Sequence, residues 1–185
     1  MTRGEEERSI VYDPIARGLH WLNAVLALVT ILLAWSMLDA PRYSDARQWL
    51  ITLHGSCGIV ILAIMLVWAG WRLRHGSPSL RPVLSWAEVM LARATQAAIF
   101  LLFVVMPVSG YVSLAAAGKS VSFFGVILIP PLMPESGRLS QIAIAIHQLG
   151  EFLIYALVAL HIAAALLHGF VRRDGILERM LPRRP

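Results

Sequence analysis

The sequence predicts an all-α integral membrane protein, a four-helix bundle. Three observations carry that expectation. The 185 residues are 58% hydrophobic and only 15% charged, against about a quarter charged in an ordinary soluble domain. The apolar residues fall in four blocks, each long enough to cross a bilayer core at 1.5 Å rise per residue. Polar or Pro-containing stretches separate the blocks. One transmembrane domain over 1–185 is expected, with spans at roughly 19–38, 49–71, 88–114 and 140–171.

Residues 1–18 are polar, with an acidic run Glu5, Glu6 and Glu7. They read as a solvated tail, since no basic segment leads into a short apolar core as in a cleaved signal. Span 1 opens with His20-Trp21 and stops before Asp39-Ala40-Pro41. Span 2 carries His54 near its start and ends at Arg72-Leu73-Arg74-His75, where His75 reads as solvated. A Ser/Pro/Arg linker over 76–83 follows. Span 3 holds Arg93 in its first turns and Pro107 late, a kink position. Residues 115–139 form the longest connection, hydrophobic and expected to lie on the membrane surface as a lid. Span 4 contains His147, His161 and His168 and runs into an Arg-rich tail.

The single Cys57 excludes an internal disulfide or a cysteine-based metal cluster. The net charge of +5 is explained by topology, because the arginines flank spans and form no nucleic-acid motif. Twelve of the sixteen basic residues fall in the N-terminal tail, the 72–93 segment and the C-terminal tail. The opposite side holds Arg42, Arg47, Lys119 and Arg138. The positive-inside rule therefore puts both termini in the cytoplasm and the 115–139 loop outside.

Ionisable residues inside a span are costly, so histidines there point to function. His147 and His161 are fourteen residues apart, about 21 Å along one helix face. Span directions place His54 and His147 near the outer surface, and His20, His161 and His168 near the inner one. His20 lies roughly 27 Å below the outer end of span 1, and His54 roughly 7 Å below that of span 2. The difference of about 20 Å matches the His147–His161 separation and not the roughly 31 Å from His147 to His168. His20 therefore pairs with His161, and His54 with His147. Two imidazoles facing across a bundle suit six-coordinate haem iron. A structural zinc needs four protein ligands, and no carboxylates or thiols sit at these depths in the right number. The expected cofactors are two b haems stacked across the bilayer and held non-covalently, since no C-x-x-C-H motif is present.

The motifs Leu19-His20-Trp21, His54-Gly-Ser-Cys-Gly58, Arg72-Leu73 and Pro107-Val-Ser-Gly110-Tyr111 then acquire a context. So do Ala117-Gly-Lys-Ser-Val-Ser-Phe-Phe-Gly125, the block from Leu160-His161 to His168, and the tail from Arg173 to Pro182. Together they resemble the bacterial cytochrome b561 family, four-span di-haem cytochromes linked to quinone, which includes a superoxide oxidase. The resemblance implies haem ligands at His20 and His161 (inner iron) and at His54 and His147 (outer iron). It implies a quinone near His168 and Arg72. Gly169 stands where some relatives carry a second histidine.

The resemblance also implies a bacterial inner-membrane oxidoreductase that passes electrons from superoxide outside to ubiquinone, with membrane lipid as its surroundings. Lys119 and Arg138, with Arg42 and Arg47, are candidates to steer the anion. Two other functions fit the same residues: a non-catalytic electron conduit between quinol and a redox partner protein, and a histidine-based metal transporter.

Overall fold

The computed structural model describes residues 12–76 and 83–181. Glu5–Glu7, most of the 76–83 linker, and Arg3, Arg8, Arg81, Arg183 and Arg184 lie outside the described residues. Four long apolar helices form a membrane bundle: α1 (Pro14–Asp39), α2 (Asp45–His75), α3 (Trp86–Ala115) and α4 (Gly137–Leu166). A single π-helical turn, Leu167–Arg172, continues α4, and a short 3-10 turn, Leu177–Arg179, lies in the tail.

The helices begin two to five residues before the apolar runs that mark them in the sequence. The reason is capping. Asp13 accepts from the N–H groups of Ile15 and Ala16, ahead of Pro14 in the first turn. Ser44 and Ser136 cap α2 and α4. Ser85 and Glu88 form a reciprocal capping box on α3. Such residues must be polar, so they sit outside the hydrophobic pattern. Pro107 lies within a helix that stays continuous.

The closest backbone approaches are between α1 and α2, α2 and α3, and α3 and α4. Ile61 and Met65 of α2, Phe103 of α3 and Ile154 of α4 form the core, with Leu26 and Ile31 of α1 packed against it. Outward-facing Val25, Leu28, Leu66, Leu101 and Phe152 are exposed, as lipid-facing residues must be. Helix α4 meets α1 and α2 chiefly through long side chains, described below.

The 115–139 connection contains an antiparallel hairpin, β1 (Val121–Phe123) and β2 (Ile127–Ile129), in the register Val121↔Ile129 and Phe123↔Ile127. Phe124 and Gly125 turn with positive φ (49° and 75°), and the Val126 N–H closes the turn on the Phe123 carbonyl at 3.0 Å. Side chains dock the hairpin on the bundle. The fully buried Ser56 of α2 accepts from the Phe124 N–H at 2.8 Å. Tyr111 of α3 donates to the Pro130 carbonyl and accepts from the Leu132 N–H.

At the opposite end the tail packs under α1. The Arg17 guanidinium donates to the Leu181 carbonyl at 2.7 Å, and the Trp21 indole to that of Met180 at 2.8 Å. Ile176 packs on Leu84 and Val89, and Arg172 pairs with Glu88.

Candidate functional site

Two histidine pairs bridge the separation between α4 and the α1–α2 layer. At the hairpin end, His54 and His147 have ring centroids 6.0 Å apart with planes at 72°. At the tail end, His20 and His161 are 6.2 Å apart at 64°. The fourteen-residue spacing on α4 separates the two by about 21 Å.

The hairpin-end pair is held by main-chain carbonyls. His54 Nδ1 lies 3.0 Å from the Thr30 carbonyl, and His147 Nδ1 lies 2.9 Å from the Met106 carbonyl and 3.2 Å from Ser109 Oγ. A carbonyl only accepts, so each Nδ1 carries the proton and each Nε2 keeps its lone pair. That is the second-sphere arrangement that fixes a ligating imidazole. Gly110 leaves the room: a Cβ there would lie 3.2 Å from His147 Cε1. Val121 of β1 lies over Gly55, beside His54.

The tail-end pair sits among aromatics, with Trp21 5.3 Å and Trp68 5.9 Å from the His20 ring. Two buried polar atoms near His20, Trp68 Nε1 and Asn23 Oδ1, have no hydrogen-bond partner among the described residues.

These observations test the fit of a haem. A metal–nitrogen bond of about 2 Å on each side, plus about 1 Å from nitrogen to ring centre, puts two axial imidazoles about 6 Å apart. Both pairs have that separation. Among the described residues no three His, Cys, Asp or Glu side chains converge on a point. The histidines meet in twos, the number that an axially ligated macrocycle requires and a four-ligand zinc site does not.

The remaining candidates are dispersed. His168 lies in the π-helical turn, apart from both pairs, with Nδ1 2.5 Å from Asp174 Oδ2. Burial acts to raise the Asp174 carboxyl, but the hydrogen bonds from His168 and the Ile176 N–H outweigh it and hold the group below its ordinary value. Arg72 is half-buried in the last turn of α2. Lys119, at the foot of the hairpin, Arg138, in the first turn of α4, and Arg42 are exposed. Arg47 is committed elsewhere: its guanidinium donates to the Met37 and Ala40 carbonyls at the end of α1. His75 is exposed but stacked on Trp71, with centroids 3.9 Å apart.

Sequence reasoning passed over several residues of the site. Glu151 is a lone carboxylate inside span 4, one turn after His147, and accepts from the Tyr155 hydroxyl at 2.6 Å. An acid inside an apolar span was the available signal. The Thr30 and Met106 contacts are main-chain and carry no side-chain signature. Asp174 lies only six residues beyond His168, in a tail that the sequence describes by its arginines.

A family model described as prokaryotic cytochrome b561 matches residues 11–183, nearly the whole chain. The chain belongs to the prokaryotic cytochrome b561 family. It is therefore a multi-pass bacterial membrane protein and a b-type, haem-binding cytochrome whose chemistry is electron transfer. A relative from Yersinia pestis named probable superoxide oxidase CybB is 34% identical over 177 residues, covering 94% of this chain and 97% of its own. Cytochrome b561 homolog 2 of Escherichia coli (strain K12) is 29% identical, with 92% and 90% covered. Cytochrome b561 homolog 1 of the same strain is 28% identical, with 90% and 94% covered. All three likenesses run across the four helices and the hairpin of this cytochrome.

Proposed function

We propose that this cytochrome oxidises superoxide at the hairpin side of the bacterial inner membrane and reduces ubiquinone at the tail side. The observation that carries the proposal is the presence of two histidine pairs of near-equal separation, one toward each end of α4. A likeness of 34% identity to a probable superoxide oxidase over almost the whole chain supports the choice of donor.

Each pair is assigned one b haem: His54 and His147 the outer, His20 and His161 the inner. When bound, the two haems supply one-electron carriers about 20 Å apart. The chain's own residues do the rest. The Thr30 and Met106 carbonyls hold the outer imidazoles with Nε2 free for the iron. A haem held by a histidine on each side would supply one-electron exchange without binding oxygen. The hairpin is pinned by Ser56 and lies over Gly55, beside His54, with Lys119 at its foot. Lys119, Arg138 and Arg42 are the cations placed to raise the encounter rate of a small anion, more so at low salt. Arg47 keeps its charge while its guanidinium donates to the Met37 and Ala40 carbonyls, so it adds to the same field from a fixed position.

At the other end His168 is the quinone candidate. Asp174 accepts from its Nδ1 and so leaves Nε2 as the nitrogen free to meet a quinone carbonyl. Arg72 is the candidate for the second quinone carbonyl. Two superoxide anions lose one electron each to give two O2. Ubiquinone gains those two electrons and two protons, which an imidazole–carboxylate couple can relay. The twelve-to-four distribution of basic residues supports cytoplasmic termini.

Stopped-flow mixing of the oxidised holoprotein with superoxide, with and without a water-soluble quinone, tests the reading. The expected result is fast haem reduction, then quinone-dependent reoxidation slowed by His168→Ala and, through the lost orientation, by Asp174→Asn. Haem reduction no faster than spontaneous dismutation would leave only the electron-conduit reading.

A further inference from the structure

A polar stripe runs along α4 at successive turns: His147, Glu151 and Tyr155, spaced i, i+4 and i+8 on one face. The Tyr155 hydroxyl donates to Glu151 Oε1 at 2.6 Å and accepts from the indole Nε1 of Trp35 on α1 at 2.8 Å. The rings of Trp35 and Tyr155 meet edge to face, 5.9 Å apart. The two helices run antiparallel, and side chains lean toward their own N-termini. Trp35 and Tyr155 therefore lean toward each other and cross the same separation that the histidines cross. A carboxylate within a span is costly unless it is hydrogen-bonded and serves a purpose. Here two aromatic donors in series hold it, and nothing in the electron path described above uses it.

Glu151 lies one turn beyond His147 on the same face of α4, about 6 Å along the axis, on the side of the outer pair. Among the described residues, the titratable group in contact with it is the Tyr155 phenol, and His147 lies one turn away. No Lys or Arg lies between Arg138 and Arg172 on its own helix.

We infer that Glu151, held in place by Tyr155 and Trp35, is a positioning residue whose negative charge sets the midpoint potential of the outer haem. This rests on the assignment of one haem to each histidine pair. A fixed anion favours the oxidised, more positive iron and so lowers the potential. The inner pair, ten residues or about 15 Å further along α4, is affected roughly half to two-thirds as much, because the interaction falls with distance. The two carriers are thereby set apart by a residue that ligates neither. A full charge about 10 Å away, at an effective dielectric constant of about 20, moves a one-electron equilibrium roughly tenfold.

The test is a spectroelectrochemical titration of the purified holoprotein, with haem counted independently as the pyridine haemochrome. Loss of one wave in His54→Ala identifies the outer couple. Glu151→Gln is expected to retain both haems and raise the outer midpoint more than the inner one. The reduced-to-oxidised ratio at fixed applied potential rises roughly tenfold, about 59 mV for a one-electron couple. Glu151→Asp, which keeps the charge, is expected to stay near the wild-type value. If Glu151→Gln does not assemble, Tyr155→Phe at alkaline pH serves instead: it leaves the charge but removes its donor, and lowers the same midpoint.

An outer midpoint unmoved in Glu151→Gln, or unmoved in Tyr155→Phe where that variant stands in, overturns the inference while two haems remain. So does an equal shift of both waves. A wild-type protein with fewer than two haems overturns the underlying assignment instead, and is recognised from the count alone.

Discussion

The Nδ1 of His54 lies 3.0 Å from the carbonyl of Thr30, so the first helix orients an imidazole of the second. His147 is oriented in the same way by Met106 of α3. Each histidine of this pair is thus aimed by a neighbouring helix, and by a group that no side-chain substitution removes.

The first prediction concerns haem content. Wild-type protein is expected to yield two b haems per chain in a pyridine haemochrome assay. His54→Ala or His147→Ala loses the outer haem, and His20→Ala or His161→Ala the inner one. His168→Ala keeps both. Thr30→Ala also keeps both, because its contact is through the main chain. Gly110→Ala crowds the His147 ring and is expected to alter the electron paramagnetic resonance signal of one haem only.

Topology is checked separately. A reporter fused after Pro185 is expected to read cytoplasmic, and one inserted near Ser136 periplasmic. The reverse pattern would exchange the donor and acceptor sides.

Ser56 predicts a local effect. Its hydroxyl is fully buried, donates to the Thr52 carbonyl at 2.6 Å and accepts from the Phe124 N–H. Ser56→Ala leaves that N–H without its acceptor, at a cost of about 1–3 kcal/mol. Hydrogen exchange over residues 121–129 is expected to quicken while α3 and α4 stay protected. Uniform protection would separate the hairpin from Ser56.

Asp13 gives a pH dependence. Burial acts to raise its carboxyl. The hydrogen bonds from the Ala16 N–H, the Trp71 indole and the Ile15 N–H outweigh that and hold it below its ordinary value. A depressed carboxyl contributes stability that is complete above the ordinary carboxylate range and lost as the pH falls through the depressed value. Asp13→Ala is expected to cost about 1 kcal/mol at neutral pH, the usual worth of an N-cap. The gap between the unfolding midpoints of wild type and variant in detergent should narrow on acidification. A constant gap would remove the charge from the account.

The four helices and the meeting of His54 with His147 and of His20 with His161 were legible in the sequence, because both depend on rise per residue and span direction alone. The hairpin was not. Its turn is Phe124-Gly125, with a phenylalanine at positive φ where Asn or Asp ordinarily announces such a turn. Arg47 read as a surface cation, because nothing local shows that the end of α1 folds back within its reach. Glu151 was legible as an anomaly, a carboxylate in lipid. Its partners were not, since Trp35 lies 120 positions from Tyr155.

Trp21 donates to the carbonyl of Met180 across 159 positions of sequence. Arg17 reaches Leu181 in the same way. At ordinary elongation rates the tail emerges roughly 10–30 s after α1. Until then the first helix sits in the bilayer with the polar ends of Arg17 and Trp21 turned to interfacial water and headgroups instead of the tail. These contacts are made by residues that follow all four spans, so this end closes only after the fourth helix has been made, and a nascent chain halted in that helix would have its first three spans in place and its base still open.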